Sequence, residues 1–294
     1  MLRDLLIRLI NTLNSHLISI FNTVLKETNM LAVERKNSWV FIPRFVDTSK
    51  VLREILPTLK WLHPVKIDHD LIRIGNHGDG GYLAPNDFEG IEVCLSIGSD
   101  REWSFEKNLQ DAFGIRSVII DSVDKRPSDL TDMQTFIEGW LAPDLDETSV
   151  TLEKLVKIVE QSQDLILKMD IEGAEYAALL DTTDAILQRF RIIVIEFHDF
   201  DSVLDPYFRK CLFIPTINRM LLEFDVVHFH PNNCSSFVRI GDIEFPKVFE
   251  VTFRRKSQLV EETSKVLAMI PHLLDRPNVK ELPDRNVDWL QILN

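Results

Sequence analysis

The run Leu165-Ile166-Leu167-Lys168-Met169-Asp170-Ile171-Glu172-Gly173-Ala174-Glu175-Tyr176 limits what this chain can fold into more than any other stretch. Leu165 to Met169 is apolar apart from one lysine, the pattern of a strand covered on both faces. Glu175 to Leu180 reads as the first turns of a helix. A buried strand running straight into a helix is a unit of a parallel sheet, and here it sets three carboxylates, Asp170, Glu172 and Glu175, at the strand's carboxyl end. Ligands of open parallel sheets bind in the crevice outside that edge, so Asp170 and Glu172 are expected to face a pocket. Acids in a first helical turn also favour the helix dipole, a purely structural role that competes most strongly for Glu175.

The same pattern recurs along the chain. From Leu71 onward, Val93 to Ile97, Ser117 to Ile120, Leu165 to Met169 and Ile192 to Phe197 are short apolar runs separated by helical or loop material. Such alternation predicts βαβ units in an α/β, doubly wound, mostly parallel Rossmann-like sheet. Val226 to His230, Phe237 to Ile240 and Val248 to Arg254 follow one another closely, so antiparallel strands are expected at one end of that sheet. Three parts are predicted: an N-terminal helical extension over 1–64, the sheet domain over 65–260, and a tail over 261–294. The extension should contain a helix from Ser49 to Trp61, kinked or ended by Pro57. The tail, with Pro277, Pro283 and several charges, should be loosely packed.

Leu2, Leu6, Leu9, Leu13, Leu17, Ile20 and Val24 recur at helical spacing, one face of an amphipathic helix. Asn11, Asn14, His16 and Asn22 make that stretch too polar to span a membrane. Packing on its own domain or in a homo-oligomer is the first expectation, and peripheral membrane-surface contact the second, because the polar face is not rich in Lys and Arg. Acidic residues outnumber basic ones, 46 to 33, for a net charge of −13, which argues against a nucleic-acid partner. Cys94, Cys211 and Cys234 form no CxxC pair and fit a reducing cytoplasm. Cys94 lies in an apolar run and is expected to be buried.

Three further loops could carry chemistry. Leu95-Ser96-Ile97-Gly98-Ser99-Asp100 ends a strand with one glycine, too few for a dinucleotide fingerprint, so NAD is disfavoured. Asp121, about 20 residues on, stands where an acid can accept from ribose hydroxyls, which suggests a nucleoside; alternatively it only begins the turn Asp121-Ser122-Val123-Asp124. The loop Arg73 to Tyr82, with Gly75, Gly78, Gly80 and Gly81, either lets backbone approach a ligand or makes a plain turn. Val194-Ile195-Glu196-Phe197-His198-Asp199 ends another core strand, so Glu196, His198 or both should face the crevice, where histidine is the usual general base for a hydroxyl. His228 and His230 fall on one strand face before Asn232 and Asn233. Asp170, Glu196, His198 and His230 could make an oxygen and nitrogen metal site, but their spacing matches no ligand motif and no metal is assigned.

Lys168-Met169-Asp170-Ile171-Glu172-Gly173-Ala174-Glu175 resembles the K-x-D-I-E-G-x-E signature of FkbM-type S-adenosylmethionine-dependent methyltransferases. Asp79-Gly80-Gly81-Tyr82, Leu95 to Gly98, Ile195 to His198, His230 to Cys234 and Pro246 to Glu250 also look like that family, over roughly Leu71 to Lys256. The resemblance implies a class I methyltransferase fold, S-adenosylmethionine as cofactor, and methylation of a hydroxyl on a sugar, glycan or related natural product. It implies that Gly98 and Ser99 pass under the methionine part and that Asp121, with Ser122 beside it, holds the ribose. Asp170 and Glu172 would stand near the sulfonium and acceptor, and Asp79, Gly80 and Gly81 would complete the cofactor site. His198 would be the base, with Asp170 as the alternative and Glu196 beside them. Ser99-Asp100 stands where such enzymes carry a richer glycine loop, and the competing expectation is a nucleoside-binding or scaffold protein without turnover.

Overall fold

A computed structural model describes residues 30–35, 38–43, 46–141, 150–159, 164–256, 266–285, 287 and 289–290. The N-terminal amphipathic helix expected from Leu2 to Val24 lies outside them. Strands β1 (Met30–Arg35) and β2 (Ser38–Pro43) form an antiparallel hairpin that the sequence pattern does not announce. Helix α1 (Thr48–Lys60) follows, capped by the Asp47 carboxylate, which accepts from the Lys50 amide at 2.9 Å. Val51, Ile55 and Leu59 bury one of its faces, and Pro57 sits inside without ending it. Strands β3 (Leu71–Ile74) and β4 (Tyr82–Pro85) pair antiparallel across the glycine-dense loop. The Arg73 guanidinium fills that loop, donating to the carbonyls of Asn76, Gly78 and Gly81.

The remaining elements are β5 (Val93–Ile97), α2 (Ser104–Phe113), β6 (Arg116–Asp121), β7 (Gln134–Glu138), α3 (Leu152–Val159), β8 (Leu165–Met169), α4 (Glu175–Asp181) and α5 (Asp184–Leu187). They continue with β9 (Phe190–Phe197), α6 (Ile214–Glu223), β10 (Phe224–Pro231), β11 (Phe237–Ile240), β12 (Ile243–Pro246) and β13 (Phe249–Arg255). A seven-stranded sheet has the order β10-β13-β9-β8-β5-β6-β7. The run β7-β6-β5-β8-β9 is parallel, and β13 is antiparallel to both of its neighbours. All residues of β5 and β8 are buried, as a strand covered on both faces requires. Chain order reverses between β5 and β8, so their carboxyl ends frame the crevice where such sheets bind ligands.

Two expectations need correction, and one strand of the seven-stranded sheet goes unannounced by the sequence. Phe237 to Ile240 is a strand, but it pairs only with β12 in a separate hairpin, because Gly241, at φ +63°, turns the chain straight back. Strand β7 gives no apolar run because it is a sheet edge, mostly half-buried or exposed, that carries Gln134, Thr135 and Glu138. Part of the tail is docked and not loose: Val287, Trp289 and Leu290 are buried, with the Trp289 ring centre 4.9 Å from that of Phe245 and 5.6 Å from that of Phe229, while Leu273 and Leu282 are exposed. Side chains of β10 and its following loop hold it, through His228 to Asp275 at 2.7 Å and Asn233 Nδ2 to the Val279 carbonyl at 2.9 Å. Bonds of that kind leave no periodicity in the sequence.

Candidate active site

A cleft of about 500 Å³ opens at the carboxyl ends of β5, β6, β8 and β9, a size within the roughly 300–1,000 Å³ of ordinary ligand sites. Its floor is laced together by backbone. Gly98 donates to the Ile120 carbonyl at 3.0 Å, and Asp170 donates to the Ile97 carbonyl at 2.9 Å. Gly98 has φ +76°, and a Cβ there would stand 1.7 Å from the Asp170 carbonyl oxygen, so glycine alone lets this turn lie against the exit of β8. Buried Lys168 donates its Nζ to the Gly98 carbonyl and lies 6.0 Å from the centre of the Tyr82 ring.

Asp121 ends β6 and shapes the same loop. Its Oδ2 accepts from the Ser99 amide at 2.8 Å, the Asp100 amide at 3.0 Å and the Ser99 hydroxyl at 3.2 Å, while Oδ1 accepts from the Ser122 amide at 2.7 Å. Asp100 is in turn ion-paired with Lys125. Asp100 and Arg101 both have positive φ, as does Glu172 across the cleft at +58°. Left-handed backbone at residues other than glycine persists only where the surroundings hold it, and it clusters at functional sites.

His198 stands at the end of β9 with its Nδ1 2.9 Å from Glu175 Oε1. Its Nε2 lies 3.8 Å from Asp170 Oδ1, 3.8 Å from Glu196 Oε1 and 4.0 Å from Glu172 Oε2. Burial works against the imidazolium, but the Glu175 hydrogen bond and the charges of Glu175, Glu196 and Asp170 outweigh it and raise the His198 pKa to about 9. Burial raises the Asp170 carboxyl, with Lys168 and His198 opposing and Glu175 and Glu172 reinforcing. Glu196 is pushed well above the carboxylate range by burial first and then by Asp170 and Glu250. It accepts from Asn232 Nδ2 at 2.7 Å and from the Tyr82 hydroxyl at 3.4 Å. Perturbed acids and a histidine facing one cleft are the arrangement expected of proton-transfer chemistry.

Asp79, Gly80, Gly98, Ser99 and Asp121 line this cavity together with Asp170, Glu172, Glu196 and His198. Gly81 and Ser122 do not: the Gly81 carbonyl accepts from Arg73, and the Ser122 hydroxyl donates to Asp124 at 2.6 Å. His228 and His230 are buried outside it, 6.3 Å apart ring to ring. Among the described residues no group of three or more His, Cys, Asp or Glu is placed to hold a metal ion. Sequence reasoning assigned Lys168, Asn232 and Glu175 no role as partners of the site, although it named Glu175 among the carboxylates at the strand end and Asn232 in a polar cluster. The lysine inside an otherwise apolar strand was the visible signal for the first, and Glu175 carried a competing explanation as a helix-start acid.

Sheet order and cleft define a doubly wound, Rossmann-like fold with an antiparallel edge. Residues 121–221, which include the Lys168 to Glu175 run and His198, match a family model described as the Methyltransferase FkbM domain. No curated protein matches the chain. Among solved structures, TrmK of M. capricolum, in complex with S-adenosyl-homocysteine, is 14% identical with a TM-score of 0.31, covering 58% of this chain and 66% of its own. A putative caffeoyl-CoA O-methyltransferase from Staphylococcus aureus is 8% identical, TM-score 0.29, covering 84% and 98%. The mitomycin 7-O-methyltransferase MmcR is 14% identical, TM-score 0.27, covering 69% and 54%. The chain thus spans about two thirds of the first and half of the last.

Proposed function

We propose that this protein is an S-adenosylmethionine-dependent methyltransferase acting on a hydroxyl of a sugar, glycan or related natural product. The observation that carries the reading is one cleft, at the point where the sheet's chain order reverses, lined by both the Gly98 turn and His198. The cleft fits the cofactor. Its glycine floor admits no side chain, its volume suits a nucleoside with an acceptor, and its acids complement a cation. Gly98, Ser99 and Asp121 would hold the cofactor, with Asp79 and Gly80 beside them and Asp170 and Glu172 on the sulfonium side. Bound there, S-adenosylmethionine supplies an electrophilic methyl group.

The chain's own work is alignment, exclusion of water and removal of the acceptor's proton. His198 Nε2 takes that proton, and Asp170 is the alternative base. Because His198 holds a proton up to about pH 9, turnover should rise with pH through that range. A cation beside Asp170 and Glu172 opposes the imidazolium and brings the range down.

A scaffold without turnover is favoured by one feature: Asp121 is already engaged by its own loop. Incubation of the protein with S-adenosylmethionine and a panel of hydroxylated glycans, read as S-adenosylhomocysteine release, separates the two. Acceptor-dependent release supports the enzyme. Binding of S-adenosylhomocysteine with no release on any acceptor favours the scaffold.

A further inference from the structure

Glu175 opens α4 and is fully buried. An acid that served only the helix dipole would sit in solvent at the helix start. Its Oε1 instead gathers three donors, His198 Nδ1 at 2.9 Å, the Gly173 amide at 3.1 Å and the Ile171 amide at 3.2 Å. Burying a carboxylate is costly unless its bonds are used, and these converge on two functional elements at once.

We propose that Glu175 is the positioning residue of the cleft, fixing the His198 ring with Nδ1–H turned inward and Nε2 facing the acids, and pinning the Ile171–Gly173 turn that carries Glu172. A carboxylate can only accept, so the nitrogen that meets it is the protonated one. On the other side, Nε2 stands 3.8–4.0 Å from Asp170, Glu196 and Glu172, beyond hydrogen-bond distance of all three, and among the described residues keeps its lone pair or proton for chemistry. The next residue completes the grip, because the Tyr176 hydroxyl donates to the His198 carbonyl at 3.0 Å. The first turn of α4 therefore holds both the ring and the backbone of His198. The groups facing the ring are Glu175 and Tyr176 from α4, Asp170 and Glu172 from the exit of β8, and Glu196 from its own strand. The turn itself contains Glu172 at φ +58° and Gly173 at φ +107°, and the two amides given to Glu175 hold it there. The proton-transfer consequence rests on the methyl-transfer reading; the orientation of the ring does not.

The test is nitrogen-15 NMR of the His198 ring in the full chain across the neutral to alkaline range, for wild type, Glu175→Gln and Glu175→Ala, with S-adenosylhomocysteine affinity measured on each. The wild-type ring should be doubly protonated at neutral pH and keep Nδ1–H when it deprotonates. Glu175→Gln retains an acceptor without charge, so the ring should titrate at lower pH with Nδ1–H kept. Glu175→Ala should shift the neutral ring toward Nε2–H. A wild-type neutral ring carrying Nε2–H overturns the proposal, as do variants that titrate together with wild type. The wild-type tautomer is read without any substitution, so a variant that fails to fold leaves the test standing. If the tautomer is as stated and S-adenosylhomocysteine does not bind, the cofactor reading falls and the positioning role survives.

Discussion

At the amino edge of the sheet, Asp164 accepts from Arg191 and from Arg255, each at 2.8 Å, and Asp87 accepts from Arg191 at 3.2 Å and Arg254 at 2.9 Å. At the carboxyl edge of the same strands, Asp170, Glu172 and Glu196 crowd within 4.0 Å of a single imidazole. One end matches each carboxylate to two guanidinium groups through charge-assisted hydrogen bonds. The other end keeps acids close to one another in a buried cleft, and burial first, with neighbouring carboxylates adding to it, lifts Asp170 and Glu196 toward their neutral forms. Like charges held together at one edge of a sheet are what a site tolerates and a purely structural edge avoids.

The comparison breaks most sharply at His198. His198→Ala should cut methyl transfer by the ~10²–10⁴ of a lost general base and leave S-adenosylhomocysteine affinity nearly intact. An unchanged rate at saturating acceptor would remove His198 from the chemistry.

The two edges should also fail at opposite ends of the pH scale. His198 at about 9 and His230 at about 10 stand above the ordinary ~6.5 of histidine. At His230, burial opposes the charge, and the hydrogen bond to Asp284 together with the nearby Glu250 carboxylate prevails. Groups raised in this way stabilise the fold fully below about pH 6.5, and that contribution drains away as pH climbs through 9 to 10, at up to about 1.4 kcal/mol per pH unit for each group. Asp164 runs the other way: burial raises it, but the hydrogen bonds of Arg255 and Arg191 bring it below the ordinary value. Its contribution is present above about pH 4 and lost as pH falls through the lowered value. Chemical denaturation from acid to alkaline pH should show both limbs, with the alkaline limb alone reduced in Glu175→Gln; a variant curve that overlays wild type would remove Glu175 as a cause of the His198 shift.

Smaller effects follow in order. Gly98→Ala should lose about 1–3 kcal/mol of stability, because the new Cβ meets the Asp170 carbonyl in left-handed backbone, and should weaken S-adenosylhomocysteine binding as well. Arg191→Met should lose about 1 kcal/mol and leave that binding unchanged. If Arg191→Met weakened ligand binding as much as Gly98→Ala, the division between the edges would not hold.

What the sequence made legible follows from physics that leaves a local trace. Burial on both faces writes a continuous apolar run, so β5 and β8 were readable to the residue. Strand β7, half exposed at the edge, and the tail, tied down by Asn233, His228 and His230 through side-chain bonds, write no such run. In the site, the residues at strand ends were found by the edge rule: Gly98, Asp170, Glu196 and His198 all line the cleft. The partner that orients His198 was not, since Glu175 lies 23 positions away in sequence and only the packing of α4 against the end of β9 brings the two together.

Calorimetric titration of the purified full chain with S-adenosylhomocysteine, with and without EDTA and beside Asp121→Ala, tests the central claim most directly. Saturable binding that is indifferent to EDTA and weakened by the substitution is the outcome expected of this cleft. Absence of binding up to millimolar ligand would contradict the methyltransferase reading and leave a fold that serves another purpose.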